Sequence, residues 1–366
     1  MKKFNHNEEK TMLSKSTLGI ALAAAATSAC AQSSVTLSGI VDAGYSYGKG
    51  NLSHINQLTS GNNATSRFWI RGQEDLGGGL AASFWLESQF AADTGLGATS
   101  NTNNQTTGAP AAPVGGQGLT FNRRATVALS GPLGEFRLGR DAAAQFYDRF
   151  ESDPFAAVGV GATQAFVSSL AGPASIRVSN AVSYFLPGGL NGIFGQAQYF
   201  FGENQSNVAN KNDGSGYNLR LGWSNQALRF TAVRARSAYA TGNIVTTLLT
   251  GSYSVSAARV LLGVFNDRVE QPSRNTGKGY TLGTVIPFGP GEVKAALSRY
   301  STDAGASPAT SKIALGYVYS LSKRTVLYGT LAHVKNSGGA NRALNTALTG
   351  ANQGSSGFDI GMRHSF

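Results

Sequence analysis

Cysteine is all but missing: the chain has one, Cys30. Beyond it there can be no disulfide framework and no cysteine-ligated metal. Charged residues are also scarce, at 13%, about half the usual share. Histidine is limited to four, and His54, His333 and His364 stand far apart. No serine is placed as a partner for a hydrolytic triad. An enzyme is therefore not expected, nor a metal or cofactor. No apolar run reaches the ~18 residues of a transmembrane helix, and mean hydropathy is −0.12. The formal charge of +11 would suit a nucleic-acid binder. The lysines and arginines, however, recur singly within strand-like runs and form no basic cluster, so no nucleic-acid partner is expected.

What is present begins with a secretory signal. Lys2, Lys3, Lys10 and Lys15 precede the short apolar run from Leu18 to Ala26, which ends at Ala29-Cys30-Ala31. A basic region, a short apolar core and an A-x-A site predict cleavage after Ala31. Glu8 and Glu9 sit oddly in the basic region, so either Met1 or Met12 can be the start. Residues 1–31 are the signal and 32–366 a single domain without linkers.

Glycine, at 47 residues, is roughly twice as frequent as usual, and it punctuates alternating runs from end to end. The runs are 34–46, 64–75, 80–91, 119–130, 135–141, 177–187, 192–203, 215–225, 227–237, 244–255, 257–269, 278–287, 292–302, 311–321, 324–335 and 356–366. Most approach the ~9–11 residues with which a tilted strand crosses a bilayer. Short connections such as Gly77-Gly78-Gly79 and Gly131-Pro132-Leu133-Gly134 follow the even-numbered strands. Longer polar ones follow the odd-numbered strands. The last nine residues put Phe358, Ile360, Met362, His364 and Phe366 on one face and Asp359, Gly361, Arg363 and Ser365 on the other. Lipid on one face and water on the other explains this pattern. Because lipid cannot satisfy an open strand edge, the fold expected is an all-β, antiparallel transmembrane barrel of 16 strands, with short periplasmic turns and long extracellular loops.

Period 2 also assigns faces. Arg67, Trp69, Arg71 and Gln73 point inward, with Phe68 and Ile70 outward. Trp85, Glu87 and Gln89 point inward, as do Arg177 and Arg220. On the fourth strand parity favours Arg124 over Arg123. Arg140 shares a face with Phe136 and Leu138, which predicts an outward, subunit-contact position. The connection 142–176 carries Asp148, Glu151 and Asp153 among Phe146, Tyr147, Phe150 and Phe155. That much apolar surface predicts a loop packed on the inner wall as the constriction, with its rings buried and its acids facing the lumen, opposite an arginine wall.

Six motifs in order carry a resemblance: Gln32-Ser33-Ser34-Val35-Thr36-Leu37-Ser38-Gly39, Gly72-Gln73-Glu74-Asp75-Leu76-Gly77, Asn122-Arg123-Arg124-Ala125, Leu138-Gly139-Arg140, Leu321-Ser322-Lys323-Arg324-Thr325 and Gly361-Met362-Arg363-His364-Ser365-Phe366. Together they resemble the general porins of β-proteobacteria. The resemblance implies a homotrimer in the outer membrane, a third loop folded into the lumen and pores that often prefer anions. It also implies Arg123 as the pore arginine and Phe366 as the mark read by the outer-membrane assembly machinery. The basic wall expected is thus Arg71, Arg123, Arg124 and Arg177, and the surroundings expected are lipid bilayer and lipopolysaccharide. Two features depart from the family: the long second loop, 92–118, and Trp69, at an inward position where a small residue is common. The function expected is passive diffusion of small hydrophilic solutes and ions, with an anion preference. A substrate-selective channel is the alternative, to which Trp69, Trp85 and Tyr147 would contribute.

Overall fold

A computed structural model describes residues 34–105, 118–270 and 274–366. The predicted signal and its cleavage site lie outside these residues. Seventeen strands form one antiparallel sheet. They are β1 (Ser34–Lys49), β2 (His54–Ser60), β3 (Arg67–Gly77), β4 (Leu80–Gln89), β5 (Arg124–Gly131), β6 (Gly134–Ala142), β7 (Arg177–Phe185), β8 (Ile193–Phe200), β9 (Gly216–Ser224), β10 (Leu228–Ser237), β11 (Ile244–Val255), β12 (Ala258–Val269), β13 (Asn275–Phe288), β14 (Gly291–Thr302), β15 (Ala309–Ser320), β16 (Thr325–Ser337) and β17 (Ser355–Ser365). Pairing of Ile40 with Ser365 through Lys49 with Ser356 joins β1 to β17 and closes the barrel.

The wall has the sixteen positions read from the alternation, because β2 and β3 share one of them. Both pair with β1, end to end: β2 along Ala43–Lys49 and β3 along Ser34–Ile40. Strand β2 is the element that alternation misses. Its two apolar residues, Ile55 and Leu58, are three apart and so lie on opposite faces. Between β2 and β3, residues 61–66 turn inward, where the backbone N–H groups of Asn63 and Ala64 donate to the buried Asp42 carboxylate at 2.9 and 2.6 Å.

Alternation sorts chemistry across the wall. Leu219 and Leu221 on β9 are 51% and 59% exposed, while the preceding Asn218 is 1% exposed. Ile313 and Leu315 on β15 stand outward, against the buried inward Lys312 and Ala314. Leu249, Leu262, Leu282, Leu331 and Ile360 continue this outer apolar belt, whose natural solvent is hydrocarbon. Ring clusters mark both rims: Tyr45, Tyr47 and Phe358 at one, and Trp223 with Phe230 and Phe288 with Tyr317 at the other. Such girdles sit at membrane–water interfaces. The terminal Phe366 completes the seam. Its backbone exchanges two 3.0 Å hydrogen bonds with Gly39, and its ring fills the space a side chain at Gly39 would need.

The channel constriction as the candidate functional site

Between β6 and β7 the chain leaves the wall and folds into the lumen. It forms a helix α1 (Ala144–Glu151) and a single turn α2 (Gln164–Val167). Its anchors to the barrel wall are polar and numerous. Asp148 accepts from Arg220 Nε at 2.7 Å, and Glu151 accepts from Arg229 Nε at 2.9 Å and Arg220 Nη2 at 3.2 Å. Arg149 donates to Asp267 at 2.8 Å. Further along, Val160 N–H donates to Asp359 at 2.6 Å, Gln164 N–H to Ser298 Oγ at 2.9 Å and Leu170 N–H to the Tyr300 hydroxyl at 3.0 Å. Lys312 Nζ donates to the Ala162 carbonyl at 2.6 Å. Pro154 lies where a side chain at Gly283 would sit, and Phe155 where one at Gly316 would, so these wall glycines let the loop approach closely.

The loop lies where the sequence placed it, but its faces are reversed. Asp148 is fully buried against the wall and Asp153 is 4% exposed. Asp153 staples the loop to itself by accepting from the backbone N–H groups of Phe155 and Thr163, each at 2.8 Å. Burial raises its carboxyl pKa, an effect these N–H donors oppose. Only Glu151 keeps substantial exposure, 36%. Phe146, Tyr147, Phe150 and Phe166 face the channel, and Phe155 alone is buried beneath. The reason is helical spacing: Gln145, Asp148 and Arg149 are i, i+3, i+4 and share the wall-facing side of α1. The wall there offers Arg220 and Arg229 as partners, so the acids pair with it and the rings face the bore. Burial also holds the Tyr147 hydroxyl above the usual phenol pKa, reinforced by the charge of Asp141.

The narrowed bore contains a cavity of about 720 Å³. Arg67, Arg123, Arg124, Arg140 and Arg177 line it, with Glu87 and Asp141 as the acids. Glu87 pairs with Arg123 at 2.5 Å and Arg67 at 3.3 Å. Asp141 pairs with Arg137 and, at 3.8 Å, with Arg124. Arg140 and Arg177 have no carboxylate partner among the described residues. Arg140 donates to the carbonyls of Asn122 and Asn101 at 2.6 and 2.9 Å and to Ser179 Oγ at 2.6 Å. Arg177 donates to the Ile176 carbonyl and stacks 4.6 Å from the Phe146 ring.

Both Arg123 and Arg124 line the cavity, although parity allows only one. Arg123 precedes the first residue of β5, where strand alternation does not yet apply. Arg71 is exposed and lies 5.4 Å over the Trp85 ring. It sits nearer the Gly77–Gly79 turn than Arg67 does and is not among the cavity-lining groups. The outward position expected for Arg140 is wrong. Register shifts between Gly139 and Asp141, with Gly139 at φ +116°, and this bulge carries Arg140 into the bore. The long second loop has a legible role over its described part. β5 and β6 are short, and the loop crosses above them: Asn104 exchanges side-chain hydrogen bonds with Ser179 N–H and C=O at 2.6 and 3.0 Å. Gln105 reaches Asn204 at 2.7 Å, and Thr99 and Asn101 join the cavity lining.

The family model for Gram-negative porins matches residues 18–339. Outer membrane porin protein 32 of Delftia acidovorans is 34% identical, across 97% of this chain and 100% of its own. The chain belongs to the Gram-negative porins. A second relative, an outer membrane porin protein of Bordetella pertussis, is 26% identical across 94% of this chain and 97% of its own. Among solved structures, an anion-selective porin from Comamonas acidovorans superposes with a TM-score of 0.79 at 30% identity, covering 92% of this chain and all of that one. OmpF of Salmonella typhi, at 14% identity and a TM-score of 0.60, shares the fold. This porin is a sixteen-stranded outer-membrane channel for passive diffusion, and its work is permeation rather than catalysis.

Proposed function

We propose that this porin passes small hydrophilic solutes with a preference for anions. The observation that carries the reading is the pair Arg140 and Arg177, which face the constriction without a carboxylate partner among the described residues while Asp148 and Asp153 are turned away from it. Several arginines in one bore attract anions, and no single one holds them tightly enough to stop passage. Arginine keeps its charge at any working pH. Arg71, Arg123 and Arg124 extend the same potential along the wall. The structurally similar Comamonas protein is described as anion-selective, in agreement with this reading. In a planar bilayer across a potassium chloride gradient, the reversal potential should have the sign of chloride preference. A potassium-preferring sign sinks the proposal.

The working unit is a homotrimer in lipopolysaccharide-bearing bilayer. Val35, Leu37, Val41, Phe136 and Leu138 give β1 and β6 an exposed apolar outer face. Strands β5 and β6 are short and keep the wall low beside Phe136 and Leu138, as a subunit contact would use it. Trimers should survive mild detergent and fall to monomers on boiling, so a gel showing only monomer in unheated samples would contradict this assignment. Export proceeds with cleavage after Ala31, and Phe366 carries the mark for the assembly machinery.

A further inference from the structure

We infer that the constriction discriminates among small anions in favour of aromatic carboxylates, a refinement that rests on the anion-preferring reading. The observation is the ring content of the bore. Trp69 and Trp85 stack at 6.3 Å between centroids and 19° between planes on the β3–β4 wall. Phe146, Tyr147, Phe150 and Phe166 come from the inserted loop, and all six rings line the one cavity. The chain has only three tryptophans, and two of them are here rather than in an interfacial girdle.

Diffusion alone gives no reason for this. A porin interior is ordinarily polar, and apolar area left in water forgoes ~25 cal/mol per Å². At about 720 Å³, the space has the size of a small-molecule site, ~300–1,000 Å³, and sets six rings beside its arginines. Its cations are already set against rings: Arg124 lies 4.6 Å from the Trp85 centroid, and Arg177 lies 4.6 Å from that of Phe146. Positive charge and aromatic face therefore stand side by side on both walls. An aromatic carboxylate carries the complement, a flat ring with a carboxylate directly attached. Its ring can stack on Trp69, Trp85 or Phe146 while its carboxylate meets Arg140 or Arg177 as a charge-assisted pair. A saturated ring of equal carbon count brings the same charge and similar bulk but no flat π-face.

The test compares benzoate with cyclohexanecarboxylate in planar bilayers of the intact porin. A ring–ring contact worth ~0.5–1.5 kcal/mol corresponds to a preference of roughly two- to tenfold. Benzoate should reduce the chloride current at a concentration lower by that factor and show the higher relative permeability. In Trp69→Leu/Trp85→Leu channels the ratio between the two acids should approach one. Phe146→Leu, on the other wall, should lower it independently and serves if the double variant does not assemble. Equal effects of the two acids on the native channel overturn the inference, as does a ratio that survives either variant. The potassium chloride reversal potential of the native channel is read separately. If it reports cation preference, the charge reading has failed, whatever the rings do.

Discussion

Reversing both unpaired arginines, Arg140→Glu with Arg177→Glu, should swing the channel from chloride toward potassium. The expected change in the permeability ratio is about tenfold or more. Two unit charges ~4 Å apart interact by about 1 kcal/mol even at the dielectric constant of water, so reversing one near the ion path changes its energy by about twice that. Arg140 and Arg177 are the appropriate targets because neither forms an ion pair with a carboxylate among the described residues, whereas Arg123 and Arg67 already share Glu87. Arg71→Glu should shift selectivity less, because Arg71 is exposed and lies outside the cavity lining. Arg342→Glu should shift it least, because Arg342 is exposed in the connection between β16 and β17. All these shifts should shrink as salt rises, since the Debye length falls from ~10 Å at 0.1 M to ~3 Å at 1 M. Equal shifts from Arg342→Glu and from the Arg140/Arg177 pair would place the constriction elsewhere.

The barrel was legible in the sequence because a half-lipid, half-water wall imposes period 2 on every strand, as Leu219, Arg220 and Leu221 illustrate. Connection lengths sorted by parity then give the two rims. Legibility ends where the period ends. Strand β2 carries too few apolar residues to show alternation. The bulge at Gly139 reverses parity for one residue, Arg140, and one residue suffices to move a charge from the outer face to the bore. The inserted loop was legible from its aromatics, but its orientation was not. A period of 3.6 within residues 144–151 puts Asp148 and Arg149 on one side and Phe146, Tyr147 and Phe150 on the other. Which side meets the wall depends on partners distant in sequence, namely Arg220, Arg229 and Asp267. The charge that the bore presents thus depends as much on where the acids are hidden as on where the arginines stand.

Asp267→Asn should loosen the constriction loop while leaving the barrel intact. Asp267 is fully buried and accepts four side-chain hydrogen bonds: from Arg149 at 2.8 Å, Thr246 at 2.7 Å, Ser169 at 2.6 Å and Tyr300 at 2.7 Å. Arg149 and Ser169 belong to the loop, and Thr246 and Tyr300 to β11 and β14, so this one carboxylate ties the loop to two strands. Removing its charge strands the Arg149 guanidinium, which is only 2% exposed. Breaking one side of a buried pair costs about 3–5 kcal/mol. That cost falls on the loop rather than the strand ladder, because the Asp267 backbone still pairs with Gly277 and Thr246. Single-channel records should show a higher mean conductance and several current levels in place of one. Adding Arg149→Met removes the stranded charge, and replacing both members of a buried pair is often close to neutral, so the double variant should recover much of the quiet native current. A single Asp267→Asn channel with native conductance and noise would show that the loop is held by its other anchors, Asp148 on Arg220 and Val160 on Asp359, without need of this one.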